Sequence, residues 1–206
     1  MKVTIDGPAG VGKTSVGREL ARRFSLLFVQ SGKLYRALAY GKINDLAIGT
    51  LSLTIGTGGG LEITMEEKPI SDELDTEEIA EEASKLAKKK EMREIVNSGI
   101  IELARDRDVL VEGRDIGTEV LPEAELKIYL TAEARERAKR RKKQLDTNRS
   151  LAEIEAGIIR RDERDLGRKV APLKPAEDAV IIDTTNLSKV EVVDRVASLI
   201  QERIRK

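Results

Sequence analysis

The chain has 206 residues, 40% of them hydrophobic, enough for one compact domain with small insertions. Lys+Arg and Asp+Glu both number 37, so the net charge is zero; this argues against broad nucleic-acid binding, and any anion site must be a local cluster of Arg and Lys. The lack of cysteine and histidine excludes disulfides, zinc–thiolate and His-based metal sites, thiol nucleophiles and Ser-His-Asp triads, leaving carboxylates, Lys, Arg, hydroxyls, backbone amides or a cofactor ion for any chemistry.

Lys2–Asp6 (KVTID) predicts a short buried strand entering a glycine-rich turn. A helix is predicted over Thr14–Phe24, where Val16, Leu20 and Phe24 recur at four-residue spacing. Leu26–Val29 is a second apolar run, and Leu34–Tyr40 is helical in pattern. Residues 49–74 change character: TLSLTI and LEITMEE are strand-like runs joined by GTGGG, which predicts a small antiparallel insertion. Gly56–Gly60 reads as the hairpin turn of that patch and not as a second phosphate loop, because no Lys-Ser/Thr pair follows. Helices are predicted over Thr76–Lys90 and Glu91–Arg105, and buried strands over Val109–Glu112 and Leu126–Leu130. A very basic helix follows at Ala132–Gln144 and a charged one at Leu151–Asp165. Pro172 and Pro175 mark a loop before a last strand, Ala179–Asp183, and a closing amphipathic helix, Leu187–Ile204. Short buried strands alternating with helices predict an α/β fold with a parallel sheet flanked by helices. The N-terminal MKVTIDGPAG lacks the apolar core of a signal peptide, and no apolar run approaches membrane-spanning length; a cytoplasmic protein is expected.

Gly7-Pro8-Ala9-Gly10-Val11-Gly12-Lys13-Thr14, followed by Ser15, fits G-x-x-x-x-G-K-[ST], with an apolar strand before it and a helical pattern after it. Glycines let backbone N–H groups converge on phosphate oxygens, and the helix N-terminus adds a positive field. Lys13 can reach the β- and γ-phosphates, and Thr14 can offer its hydroxyl to Mg²⁺. A nucleoside triphosphate, ATP or GTP, is therefore the expected ligand. A GTPase switch, a motor ATPase, a small-molecule kinase and a binding module without turnover all use such a loop. The GTPase motif Asn-Lys-x-Asp is absent, since Asn44, Asn97, Asn148 and Asn186 precede Asp, Ser, Arg and Leu. A motor would need a larger chain or an assembly surface.

The segment RRDERDLGR carries Arg160, Arg161, Arg164 and Arg168 with Asp162 and Asp165. Arg161, Asp165 and Arg168 fall on one helical face. This reads either as a solvated face of ion pairs or as a lid that closes on a transferring phosphate. The basic run RERAKRRKKQ poses the same choice. Phosphoryl transfer needs positioning and charge neutralisation, which Arg forks and Mg²⁺ supply without His or Cys.

The ordered blocks IDGPAGVGKTS, SGKLYRALA, EEASKLAKKKEMR, EGRDIGTEVLPEAELKIYLTA and RRDERDLGRKVAPLKPAEDAVIIDTTNLS resemble the bacterial cytidylate kinases, P-loop nucleoside monophosphate kinases, over nearly the whole chain. The resemblance implies a core at 1–40 and 106–206, a helical lid at about 145–170, and a monophosphate-binding insertion at 41–105. It implies transfer of the γ-phosphoryl group of ATP to CMP and dCMP, with Mg²⁺. Ser31, Tyr35 and Arg36 would meet the acceptor phosphate, with Arg114 and Arg168. Ser84, Arg93 and Asp115 would read the base, and Arg161 and Asp165 would touch the ribose. DTTNLS would lie near the donor adenine. Arg137 and Arg141 match basic positions before the lid, and join Lys13, Arg114 and Arg168 in the transfer step. Thr14 and, through water, Glu112 would serve Mg²⁺. Two positions depart from the family: Gln30 stands where an acid usually precedes Ser-Gly, and Glu112 where Asp usually precedes Gly-Arg-Asp. The stretch between Tyr40 and Thr50 is shorter than usual, so a helix there is expected to be trimmed or absent. Partners are small molecules only, and a monomer is expected. The alternatives are a kinase for another nucleoside monophosphate or small metabolite, and a P-loop module without turnover.

Overall fold

The computed structural model describes residues 1–56, 60–144, 148–168 and 170–205. Strand β1 (Lys2–Asp6) leads through the glycine loop into helix α1 (Lys13–Phe24), which Ser25 ends in the left-handed region. Strand β2 (Leu27–Gln30) passes directly into helix α2 (Ser31–Ile43), so the helix begins three residues before the expected Leu34. The following stretch holds only a single 3₁₀ turn at Ile48–Thr50, in keeping with its shortness.

The insertion is a three-stranded antiparallel sheet of β3 (Leu51–Ile55), β4 (Leu61–Met65) and β5 (Lys68–Pro69). Its register runs from Leu51 opposite Met65 to Ile55 opposite Leu61. The tip of the expected Gly56–Gly60 turn, 57–59, lies outside the described residues; on its flanks the Gly56 N–H donates to the Gly60 carbonyl at 2.9 Å. Ile63 and Met65 turn inwards and join the core beneath α2. Helices α3 (Glu77–Leu86) and α4 (Lys90–Ala104) follow, the break between them being a turn closed by the Lys89 N–H on the Leu86 carbonyl.

Strand β6 (Val109–Glu112) ends in Gly113-Arg114-Asp115 and one turn of π-helix at Ile116–Val120. Strand β7 (Leu126–Thr131), helix α5 (Ala134–Gln144), helix α6 (Leu151–Leu166), strand β8 (Val180–Asp183) and helix α7 (Lys189–Ile204) complete the chain. Both α6 and α7 open on a capping box, Ser150 with Glu153 and Ser188 with Glu191, which satisfies backbone groups that a helix start leaves open.

The five strands β2-β6-β1-β7-β8 form one parallel sheet in that order. Every residue of β6 is buried, which is why Val109–Val111 read as a continuous apolar run before Glu112: both faces are covered. The two-residue period of a strand then sorts its side chains. Leu110 joins Val3, Ile5, Leu20, Ile128 and Val196 under α1 and α7. Val109 and Val111 join Leu34, Leu38 and Ile100 under α2 and α4. All strand C-termini point to one edge, where ligands of open α/β sheets gather.

Gly7 is required by the sheet itself. Its φ is +146°, and a Cβ there would lie 2.2 Å from the Leu130 carbonyl oxygen on β7. Neither backbone can retreat without breaking the β1–β7 ladder. Gly7→Ala is expected to lower the unfolding free energy by about 3 kcal/mol, read from urea titrations. Among the described residues, no helix is long and apolar enough to cross a membrane.

Candidate active site

A cleft of ≈ 1930 Å³ opens at the C-terminal edge of the parallel sheet. The glycine loop forms its floor. Gly12 has a φ of +100° and caps α1, aiming that helix start at the cleft. The Lys13 side chain is 7% exposed, and its Nζ donates to the carbonyls of Gly7 and Pro8 at 2.8 Å each. Burial holds the Lys13 ammonium well below the usual lysine range; Arg114 and Arg161 add to this, while Glu112 and Asp6 oppose it. The hydrogen-bond partners of the Lys13 ammonium are two neutral carbonyls of the loop, which leaves its charge open to an anion.

Thr14 Oγ1 donates to Glu112 Oε1 at 2.7 Å. Gln30 Nε2 donates to the same oxygen at 2.9 Å. Glu112 Oε2 is buried and has no hydrogen-bond partner. A free carboxylate oxygen beside a hydroxyl is an all-oxygen donor set that suits a hard divalent cation. No cluster of three or more acids occurs among the described residues, so no all-protein cage is present among them. Mg²⁺ needs none, because it keeps waters and leans on substrate phosphates.

Arginines line the cleft beside the loop. Asp165 is 2% exposed and lies between two of them: Arg114 Nε donates to its Oδ2 at 3.0 Å, and Arg168 Nη2 donates to its Oδ1. Arg168 Nε is buried without a partner. Arg161 and Arg36 line the same wall. Burial draws the Arg161 guanidinium down to about 10, and the Arg114 charge adds to it. Arg36 is tied to the Leu74 carbonyl at 2.9 Å and to Asp75 at 2.7 Å. Ser31 opens α2 at this wall, and Tyr35 stands one turn on, its phenol pushed up to about 12 by burial.

Arg93 on α4 forms a buried ion pair with Asp115, and Arg93 Nη1 is left without a partner. Ser84 on α3 is buried and borders the cleft with Asp115. Burial raises the Asp115 carboxyl, and the Arg93 charge opposes the shift. The structure therefore brings Ser84 and Asp115 to the cleft from separate elements, with Arg93 paired to Asp115 but off the cleft surface. Thr184, Leu187 and Ser188 of DTTNLS line the end nearest α7.

Of the residues expected in the site, Gly7, Pro8, Arg93 and Arg137 do not line the cleft surface. Arg137 differs most from expectation. Its buried guanidinium donates to the carbonyls of Ala132 and Ala9 at 2.9 Å each, and to Asp162. The Ala9 N–H in turn donates to Asp162 Oδ1 at 3.2 Å. With these acceptors met inside the protein, Arg137 braces the glycine loop from behind. Arg141, four residues on, does line the cleft.

Four contributors were given no role in the sequence. Asp162 sits in the basic segment, on the buried face of α6 with Ile154, Ile158 and Asp165. Arg140 donates to Thr184 Oγ1 at 3.0 Å and to backbone carbonyls beyond β8. The i, i+3 spacing of Arg137 and Arg140 was the available signal that these two share an inward face. Gln30 and Asp6 complete the set. Asp6 accepts from the Ile116 N–H at 3.0 Å and the Gly117 N–H at 2.8 Å, and so fastens the π turn after Arg114 and Asp115 to the strand that carries the glycine loop.

Burial lifts the Asp6 carboxyl from 3.8 to about 6, against the lowering pull of the Gly117 and Ile116 amides. A carboxyl whose folded value is raised keeps its proton longer in the folded chain. Stability from this group is therefore greatest at low pH, falls as pH rises from about 4 to about 6, and is flat above that. Urea unfolding at pH 4.5 and 7.5 tests this. Relative to Asp6→Asn, the wild type should gain about 2 kcal/mol at the lower pH.

The family model described as Cytidylate kinase matches residues 3–202. A cytidylate kinase of Aquifex aeolicus (strain VF5) is 39% identical, over 98% of this chain and 97% of the relative. One of Rickettsia akari (strain Hartford) is 42% identical, over 98% and 92%. Two solved structures are similar in fold: an uncharacterized protein from Eubacterium ventriosum ATCC 27560 (TM-score 0.57, 12% identity) and a shikimate kinase from Bacteroides thetaiotaomicron (TM-score 0.52, 13% identity), each covering 98% of both chains. At such identities they speak for the fold alone. A match that runs from β1 into α7 takes in both ends of the cleft, and on it the chain belongs to the cytidylate kinase family.

Proposed function

We propose that the protein transfers the γ-phosphoryl group of ATP to CMP and dCMP, giving ADP and CDP or dCDP. The observation that carries this reading is one cleft lined both by a phosphate loop and by Arg36, Arg114, Arg161 and Arg168. The amides of Gly10–Ser15 and Lys13 bind the donor phosphates, with Gly7, Pro8 and Ala9 shaping the loop. Ser31, Tyr35, Arg36, Arg114 and Arg168 bind the acceptor phosphate, and Arg161 and Asp165 the sugar. Thr14 and, through water, Glu112 hold Mg²⁺. When bound, the cation neutralises charge on the donor phosphates. An acceptor phosphate oxygen attacks the γ-phosphorus in line, and the bond to the β–γ bridging oxygen breaks. The acceptor is ionised at neutral pH, so no general base is required. Lys13, Arg114, Arg168 and Arg141 offset the charge that spreads over the transferring group.

Residues 41–105 act as the monophosphate-binding insertion and 145–170 as the lid. The two approach each other at the cleft mouth, where Arg149 donates to Glu77 at 3.1 Å. Their closure would exclude water, whose attack on ATP is the competing reaction. Freely diffusing nucleotides as substrates fit a cytoplasmic enzyme. A monomer is sufficient, because one chain lines the whole cleft.

The test is an ADP-release assay with ATP and, separately, CMP, dCMP, UMP, AMP, GMP and shikimate. CMP and dCMP should give acceptor-dependent release. A stronger response to another acceptor would reassign the substrate. No response to any of them would leave a nucleotide-binding module without turnover.

A further inference from the structure

The C-terminal ends of β2 and β6 lie side by side, and their parallel register sets Gln30 directly against Glu112. Glu112 Oε1 accepts from two donors at once, Gln30 Nε2 at 2.9 Å and Thr14 Oγ1 at 2.7 Å. A carboxylate oxygen has two lone-pair sites, so Oε1 is fully occupied. Oε2 is buried and has no partner. Two donors arriving from β2 and α1 fix the rotation of the carboxylate. What remains is a single free oxygen, held beside the hydroxyl of Thr14.

A buried oxygen left without a partner costs about 1–3 kcal/mol, and such groups persist where a ligand completes them. No group of three or more potential metal ligands occurs among the described residues to share the task. The fewer the carboxylates at a site, the less it tolerates one that is turned away. Gln30 brings no charge of its own, and an acid in its place would set two negative groups against each other across the β2–β6 pair.

We propose that Gln30 is a positioning residue for the cation-assisted step: its amide holds the Glu112 carboxylate in the rotation that presents Oε2 to Mg²⁺ on the donor nucleotide. This rests on the ATP–Mg²⁺ reading given above. Gln30 acts through Glu112 and does not itself bind the cation. The departure at position 30 and the longer acid at position 112 then form one device, a neutral donor and a single oriented charge.

The test uses the full chain and a fluorescent, non-hydrolysable ATP analogue. Its affinity is measured with saturating Mg²⁺ and again in EDTA, and the ratio is the readout. Gln30→Leu keeps the bulk and removes the donor. It should cut the ratio about 10-fold while affinity in EDTA stays within about twofold of wild type. In a Glu112→Gln background the same change should alter the ratio by less than about twofold, because the carboxylate it orients is gone. If Gln30→Leu folds poorly, Gln30→Asn keeps an amide one methylene short of Glu112 and should move the ratio the same way. An unchanged ratio in both variants, with a Mg²⁺-dependent wild type, overturns the positioning role alone. So does an equal loss of affinity with and without Mg²⁺, which would make Gln30 a strand-end staple. A wild type whose binding ignores Mg²⁺ overturns this inference and the cation reading together.

Discussion

Lys13→Met should lower kcat by about 10³-fold and leave the thermal unfolding midpoint close to that of the wild type. The two halves of this expectation come from one observation. The ammonium is buried, and its hydrogen-bond partners are two neutral carbonyls of the loop. Burial disfavours its charge, with Arg114 adding to the effect. Methionine fills similar volume and removes the buried charge, but it also removes two charge-assisted hydrogen bonds. These contributions have opposite sign and similar size, so stability changes little. In the transfer step there is no such offset. Negative charge spreads over the migrating phosphoryl group, and the cation of the glycine loop is gone. Steady-state kinetics alongside thermal denaturation separate the effects. A loss of activity that tracks a loss of folded protein would make Lys13 a structural pin of the loop.

The wild type should favour CMP over UMP by about 10³-fold or more in kcat/KM, and Asp115→Asn should remove most of that preference. Cytosine presents an N4 amino donor beside its N3 and O2 acceptors. Asp115 is a buried acceptor paired with Arg93, and Arg93 Nη1 has a donor to spare. Uracil would turn a carbonyl towards the carboxylate, setting acceptor against acceptor where water cannot relieve the mismatch. The asparagine amide can rotate to offer either sign. Its kcat/KM should fall about 10²-fold for CMP and rise for UMP. Initial rates at subsaturating acceptor decide it: comparable turnover of the two nucleotides by the wild type would remove Asp115 and Arg93 from base reading.

What the sequence made legible was local or periodic. The glycine loop is a contiguous pattern between a strand and a helix, and β6 is apolar up to its final Glu112 because both faces of the sheet are covered. The antiparallel insertion showed itself by alternation and a glycine-rich joint. What escaped depends on distant pairings. Ala9 meets Asp162 across 153 positions, and Asp6 meets Ile116 across 110. Nothing in the neighbourhood of an aspartate says which backbone amide it will hold. The π turn after Asp115 is a case in point, since its start is anchored by Asp6 and not by its own residues. Arg137 was read by its charge and its place before the lid; its contacts with Ala9 and Asp162 are distant pairings that no local pattern announces. Gln30 showed only as a departure, and the β2–β6 register gives it a neighbour.

The position of Asp165 bears on which anions this cleft admits. Its carboxylate already sits between Arg114 and Arg168. It is a tethered counter-ion, present at the effective concentration of an intramolecular group, in the millimolar range or above. Any free anion must compete with it. Inorganic phosphate or chloride, held by the arginines alone, would gain less than a nucleotide. A nucleotide that is also gripped by its base and sugar can displace the carboxylate from its arginines. When the product leaves, the same carboxylate returns to them, so the pocket clears without waiting for an anion from solution.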